Sequence, residues 1–102
     1  MKYSLLFHPD LQDDILYIYH WYQKKDFGLG PVFLTLFYAS VQKIQARPLA
    51  YMKINEEYRR CLMNRFPYAI YYYIENEEIN ITGLFHCAQD PRKIQQKLQD
   101  RK

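Results

Sequence analysis

Tyr58-Arg59-Arg60-Cys61-Leu62-Met63-Asn64-Arg65-Phe66-Pro67-Tyr68-Ala69-Ile70-Tyr71-Tyr72 reads as two short strands joined by a tight turn. Both flanks are rich in Tyr, Ile and other residues that suit a pleated, half-buried surface. Asn64 to Pro67 supplies the turn. The pattern continues downstream, where Asn76 to Glu78 separates a strand over Tyr68–Glu75 from another over Ile79–Phe85. With Tyr58–Met63 as their first member, the three segments predict an antiparallel meander. Successive side chains on a strand point to opposite faces, so Arg59 and Arg60 must part company. One belongs to the helix-covered side or its edge, and the other is free for a ligand. Alternation alone does not say which.

Upstream of Pro48 the period is that of a helix. His8-Pro9-Asp10 opens one, with proline at the first helical position and Asp10, Asp13 and Asp14 complementing the positive end of the dipole. Its stripe is Leu11, Ile15, Ile18 and Tyr22, and Lys24 to Gly30 breaks it. Gly30-Pro31 starts a second helix, whose stripe is Phe33, Leu36, Phe37, Ser40, Val41 and Ile44. Pro48 ends it, because the residue before a proline is pushed out of helical conformation. A connection this short favours an antiparallel helical hairpin. Tyr3, Leu5 and Phe7 alternate ahead of the first helix as a short strand, and Asp90-Pro91 caps a last helix carrying Ile94 and Leu98. The expected order is β-α-α-β-β-β-α, an α+β fold with the helical hairpin on a small, mainly antiparallel sheet.

At 102 residues the chain fits a single domain over 1–102, and 49% apolar residues with 18% aromatic are enough for a core. No apolar run approaches the roughly 20 residues that span a bilayer. Met1 to Phe7 is too short an apolar run for a leader, so the cytoplasm is expected and no membrane partner. Cys61 and Cys87 are too few for a disulfide framework or an all-thiolate zinc site, so ordinary thiols, no metal and no cofactor are expected. The net charge is only +3, but it is segregated. Lys43, Arg47, Lys53, Arg59, Arg60 and Arg65 face only Glu56 and Glu57 between 43 and 65, whereas 66 to 90 carries acids and no Lys or Arg. From 91 onward, five cations face Asp100 alone. Such segregation suits an acidic peptide or a phosphate backbone, and equally a solvated surface.

This order of elements, with His8-Pro9, Trp21-Tyr22, Gly28-Leu29-Gly30, Arg47-Pro48, the Tyr58–Tyr72 run, Phe85-His86 and Asp90-Pro91 in sequence, resembles the RelE/ParE superfamily of type II toxin–antitoxin toxins. The resemblance covers nearly the whole chain. It implies a bacterial growth-inhibiting toxin of the plasmid-stabilisation kind, held inactive by an antitoxin that wraps it as a disordered segment folding on contact. It departs in two places: Gln89 stands where many relatives have Arg two residues before the proline, and Tyr68 where ribosome-dependent nucleases often have Arg. Both departures, with the mild charge, favour the ParE-like branch, whose implied target is DNA gyrase.

Metal-free RNA cleavage needs a base for the 2′-hydroxyl, cations on the phosphorane and an acid for the leaving oxygen. The candidates are Lys53, Arg60, Arg65 and His86. Sharing a face with Leu84 and Thr82, His86 is equally readable as a structural histidine. Arg59, Arg60, Arg65 and Arg92 are candidates for partner contact, and the clustered Tyr68, Tyr71, Tyr72 and Tyr73 are read mainly as core. Whether the chain is an enzyme stays open between three readings. They are a non-enzymatic gyrase poison, a ribosome-dependent mRNA endoribonuclease, and an inactive toxin kept as an antitoxin-binding partner.

Overall fold

In the computed structural model, which describes residues 2–102, the fold is a five-stranded sheet between two helical layers. Met1, the first residue of the segment read for a leader, lies outside the described residues. The elements run β1 (Ser4–Phe7), α1 (Pro9–Lys25), α2 (Leu29–Ala46), a 3-10 turn (Pro48–Ala50), β2 (Met52–Lys53), β3 (Arg59–Leu62), β4 (Tyr68–Glu75), β5 (Glu78–His86) and α3 (Pro91–Asp100). The sheet order is β1-β5-β4-β3-β2, with β1 parallel to β5 and the other neighbours antiparallel. The expected α+β order holds, with one strand added: β2 lies between Pro48, where the second helix was expected to end, and the strand expected from Tyr58. Two residues are too few to show a period.

Each helix starts for a local reason. At the head of α1, His8 caps with its ring nitrogen accepting the Asp10 amide at 3.0 Å, and Pro9 follows. α2 begins at Leu29, one residue before Gly30, after Gly28 takes φ 95. Its first amides are met from α1, since Gln23 Oε1 accepts from the Gly28 and Gly30 N–H groups at 3.2 and 3.0 Å. A Cβ on Gly30 would lie 2.8 Å from the Tyr19 ring, so the missing side chain is what brings the two helices together there.

The sheet divides the core in two. On one face, Leu11 and Ile18 of α1 and Phe33, Phe37, Val41 and Ile44 of α2 cover Ile70, Tyr72, Ile79, Ile81 and Leu84. On the other, Ile94 and Leu98 of α3 cover Tyr58, Ala69, Tyr71 and Phe85. The tyrosine run supplies both: Tyr72 belongs to the hairpin side and donates to Pro48 O at 2.6 Å, while Tyr71 and Tyr73 belong to the α3 side.

A bulge sets the register of β5. Tyr71 pairs with Gly83 but Tyr72 with Ile81, which leaves Thr82 as the extra residue. Thus Ile79 and Ile81 before the bulge, and Leu84 after it, all face the hairpin. Thr82 crosses to the α3 side, where its hydroxyl meets Tyr58, and so it does not share a face with His86 and Leu84 as strict alternation implied. Peptide groups at the bulge find side-chain partners. Asp14 of α1 accepts the Leu84 N–H at 3.4 Å, and Arg101, just past α3, donates to Thr82 O at 3.0 Å. Asp14 and Arg101 also pair with each other, at 2.7 and 3.0 Å, with both side chains about 15% exposed or less. That pair ties the end of the chain to the first helix.

Candidate functional site

Cross-strand partners point to the same face, so the register assigns every candidate. Arg59 sits opposite Lys53 and Tyr72, and therefore faces the hairpin side. Its guanidinium donates to Tyr51 O at 2.7 Å and Leu49 O at 3.3 Å, holding the 3-10 turn against the sheet. Arg60 sits opposite Met52 and Tyr71, and faces α3. There its Nε is buried with no hydrogen-bond partner among the described residues.

Arg60 and Tyr71 form the floor of a cavity of about 150 Å³, with Pro91, Ile94 and Gln95 of α3 on one wall. Ile54, Cys87 and Gln89 complete it, and no carboxylate lines it among the described residues. The wall is held in place, because Gln95 Oε1 accepts from Asn55 Nδ2 at 2.9 Å while Asn55 Oδ1 accepts the Glu57 and Tyr58 amides. A guanidinium in a small, largely apolar recess with glutamine amides beside it can pair with an oxyanion, because its buried Nε has no internal acceptor and no acid lines the recess among the described residues. Arg92, Lys93 and Lys97 project from the exposed side of α3 and keep the local potential positive. Arg92 is 92% exposed and pairs with Asp90 at 3.4 Å.

The remaining candidates lie elsewhere. His86 points to the hairpin face, edge-on to Tyr68 at 5.1 Å, with Nδ1 accepting the Ala88 N–H at 3.0 Å. It lines a separate cleft of about 290 Å³ with Asp13, Tyr17 and Lys97. Lys53 shares that face but lies on β2, three strand spacings from β5, or roughly 14 Å. Along the strand direction it is level with Ile81, five residues short of His86, roughly 16 Å more. Arg65 stands exposed in the β3–β4 turn at φ 69. Lys53, Arg60 and His86 therefore do not converge on one phosphate. Gln89, the residue at the departure from the family pattern, lines both the Arg60 cavity and the His86 cleft.

Three participants were not visible as site residues in the sequence: Cys87, Gln95 and Ile54. None belongs to a periodic pattern, and only the closure of α3 over the sheet brings them to Arg60. Both thiols are free; Cys61 is buried, which pushes its pKa up, and Cys87 is exposed.

One solved structure, described as the chromosomal ParDE TA system from P. aeruginosa, contains a chain that matches with a TM-score of 0.75. The match covers 83% of this chain and 96% of that one. This chain has the ParDE chain's fold. At 18% identity the likeness to the ParDE chain is one of architecture, which bears out the expected element order. No family model matches the sequence, and no curated protein matches it. No helix among the described residues is long and apolar enough to cross a membrane.

Proposed function

We propose that this chain is the toxin of a type II toxin–antitoxin module, and that it acts as a ParE-like gyrase poison rather than by cutting RNA. The observation that carries the reading is Arg60, half-buried with its Nε lacking an internal acceptor among the described residues, in a cavity without acids on a sheet whose fold is that of a ParDE chain. An oxyanion carried by a macromolecular partner fits that recess. The cationic outer side of α3 steers an acidic segment toward it. A cytoplasmic antitoxin with an acidic, disordered tail is the partner of matching chemistry, gaining charge complementarity and buried area against the cost of its own ordering.

Catalysis is disfavoured by position. A nuclease needs its acid, base and cations around one phosphorane. Here the imidazole and the lysine lie on the face opposite Arg60 and far from each other. The neutral Gln89 beside Arg60 adds no cation to the recess. Ribosome-dependent mRNA cleavage remains the second reading, because a phosphate would satisfy Arg60 as well as a carboxylate does.

Induced expression separates the readings. A gyrase poison arrests growth with signs of DNA damage and leaves translated transcripts without new 5′ ends, and co-expression of a cognate antitoxin relieves the arrest. New 5′ ends mapped on translated mRNA would transfer the function to the nuclease reading. No arrest at all would leave an inactive antitoxin-binding partner.

A further inference from the structure

The Arg60 recess is too small for a whole ligand. Pockets that enclose a drug-sized molecule run to roughly 300–1,000 Å³. This one holds about 150 Å³, room for one functional group on a short arm. Charge does not separate a carboxylate from a phosphodiester there, but shape does. A carboxylate side chain brings only one or two methylenes in behind it, whereas a phosphodiester carries a sugar on each side. The walls suit methylenes, since Ile54, Tyr71, Pro91 and Ile94 all line the cavity.

Beside Arg60, on the same face of the sheet, stand two apolar side chains that α3 does not cover. Met52 is its cross-strand partner on β2, and Leu62 lies two residues further along β3, roughly 6.8 Å away at the rise of a strand. They are 57% and 58% exposed, whereas Tyr71 and Ala69, opposite Arg60 and Leu62 on β4, are buried. The helical cover therefore ends at β3, with a buried guanidinium nitrogen at its margin and bare apolar surface beyond. Acids close to this face in sequence are already engaged. Asp90 accepts the Arg92 amide at 2.9 Å and pairs with the Arg92 guanidinium, and Glu57 pairs with Lys102. Arg65, in the turn beyond Leu62, is exposed.

Resting on the reading of this chain as a binder, we propose that the face reads a short motif in an extended peptide segment of its partner. A Glu or Asp of that segment enters the recess and meets Arg60, and an apolar residue two positions away packs on Leu62. The spacing follows from the chain itself. In an extended peptide, residues two apart point to the same side at the same repeat that separates Arg60 from Leu62. The carboxylate gives the buried Nε its acceptor, and the apolar side chain covers surface that α3 leaves open. Charge, cavity volume and exposed apolar surface agree on an acidic peptide, which is what favours it over a nucleic acid.

The test is a titration of the full chain with a blocked peptide, Gly-Ser-Glu-Ser-Leu-Ser-Gly, followed by the NMR signal of the Arg60 Nε–H. That signal should shift and saturate. Replacing the peptide's Glu by Gln should weaken binding about tenfold or more, and so should Arg60→Gln in the chain. Arg60→Lys, which keeps the charge without the planar fork, should recover only part of the loss. Replacing the peptide's Leu by Ser, or Leu62→Ser in the chain, should each weaken binding roughly fivefold, and the two together little more than either alone. Equal binding of the Glu and Gln peptides, or an unmoved Arg60 signal, would overturn the proposal. So would free acetate binding as tightly as the peptide, which would leave a plain oxyanion site, or an oligouridylate displacing the peptide at lower concentration. Gyrase supercoiling is measured in parallel. Peptide binding without inhibition would remove the gyrase reading and keep the motif, whereas inhibition without peptide binding would remove the motif alone.

Discussion

Arg59 and Arg60 are neighbours with opposite duties, and the difference is the register of one strand. Arg59→Ala should cost about 1–2 kcal/mol in stability, read by urea denaturation, because two carbonyls of the 3-10 turn lose their donor. Arg60→Gln should leave stability within about 1 kcal/mol, since no internal partner depends on it. It should nevertheless weaken growth arrest and partner binding about tenfold or more, as loss of a charge-assisted contact does. Tyr72 is a second residue whose placement has a measurable consequence. Burial holds its phenol well above the ordinary 10.0, so its stabilising effect is complete below that value and lost as pH rises beyond it. Stability should accordingly fall above roughly pH 10, and Tyr72→Phe should flatten the alkaline slope while costing about 1–2 kcal/mol at neutral pH through the loss of its bond to Pro48 O. At the β4–β5 turn, Asn76 and Glu77 take φ 53 and 63 without being glycine, the conformation of a two-residue hairpin turn. Glu77→Gly should raise the melting temperature, by the few degrees that about 1 kcal/mol represents in a domain of this size.

Among the elements, those with a period were legible and those without one were not. The stripes of α1 and α2 and the alternation of β3 and β4 appear in the sequence because each buries one face against a partner of fixed geometry. β2 has no period to read, and the parallel pairing of β1 with β5 is a tertiary choice on which local sequence is silent. The pair Ile94 and Leu98 announces that α3 has a buried side, but not which face of the sheet receives it. The bulge at Thr82 was invisible for a related reason: its peptide groups are satisfied by Asp14 and Arg101, 68 residues upstream and 19 downstream. That network predicts strong coupling. Asp14→Ala should cost about 3 kcal/mol, because Arg101 and the Leu84 amide lose one partner together. A double-mutant cycle with Arg101→Ala should return an interaction energy of about 1–3 kcal/mol, both read by denaturant unfolding.

At the scale of the whole molecule, one sheet carries two cores and so presents two unlike surfaces. The hairpin face is thick and closed. The α3 face is covered by a single short helix, and it is there that Arg60 Nε stays without an acceptor among the described residues. Charge segregation and the resemblance point to a cationic patch, but the division of Lys53, Arg60 and His86 between faces is set by the strand register. That division is why the chain is read as a binder and not as a nuclease. Gyrase supercoiling in the presence of the purified chain puts this to the test most directly. Inhibition that rises with the concentration of the chain, and is about tenfold weaker for Arg60→Gln, is the expected result. Supercoiling that proceeds at its normal rate in a large excess of folded protein would contradict it.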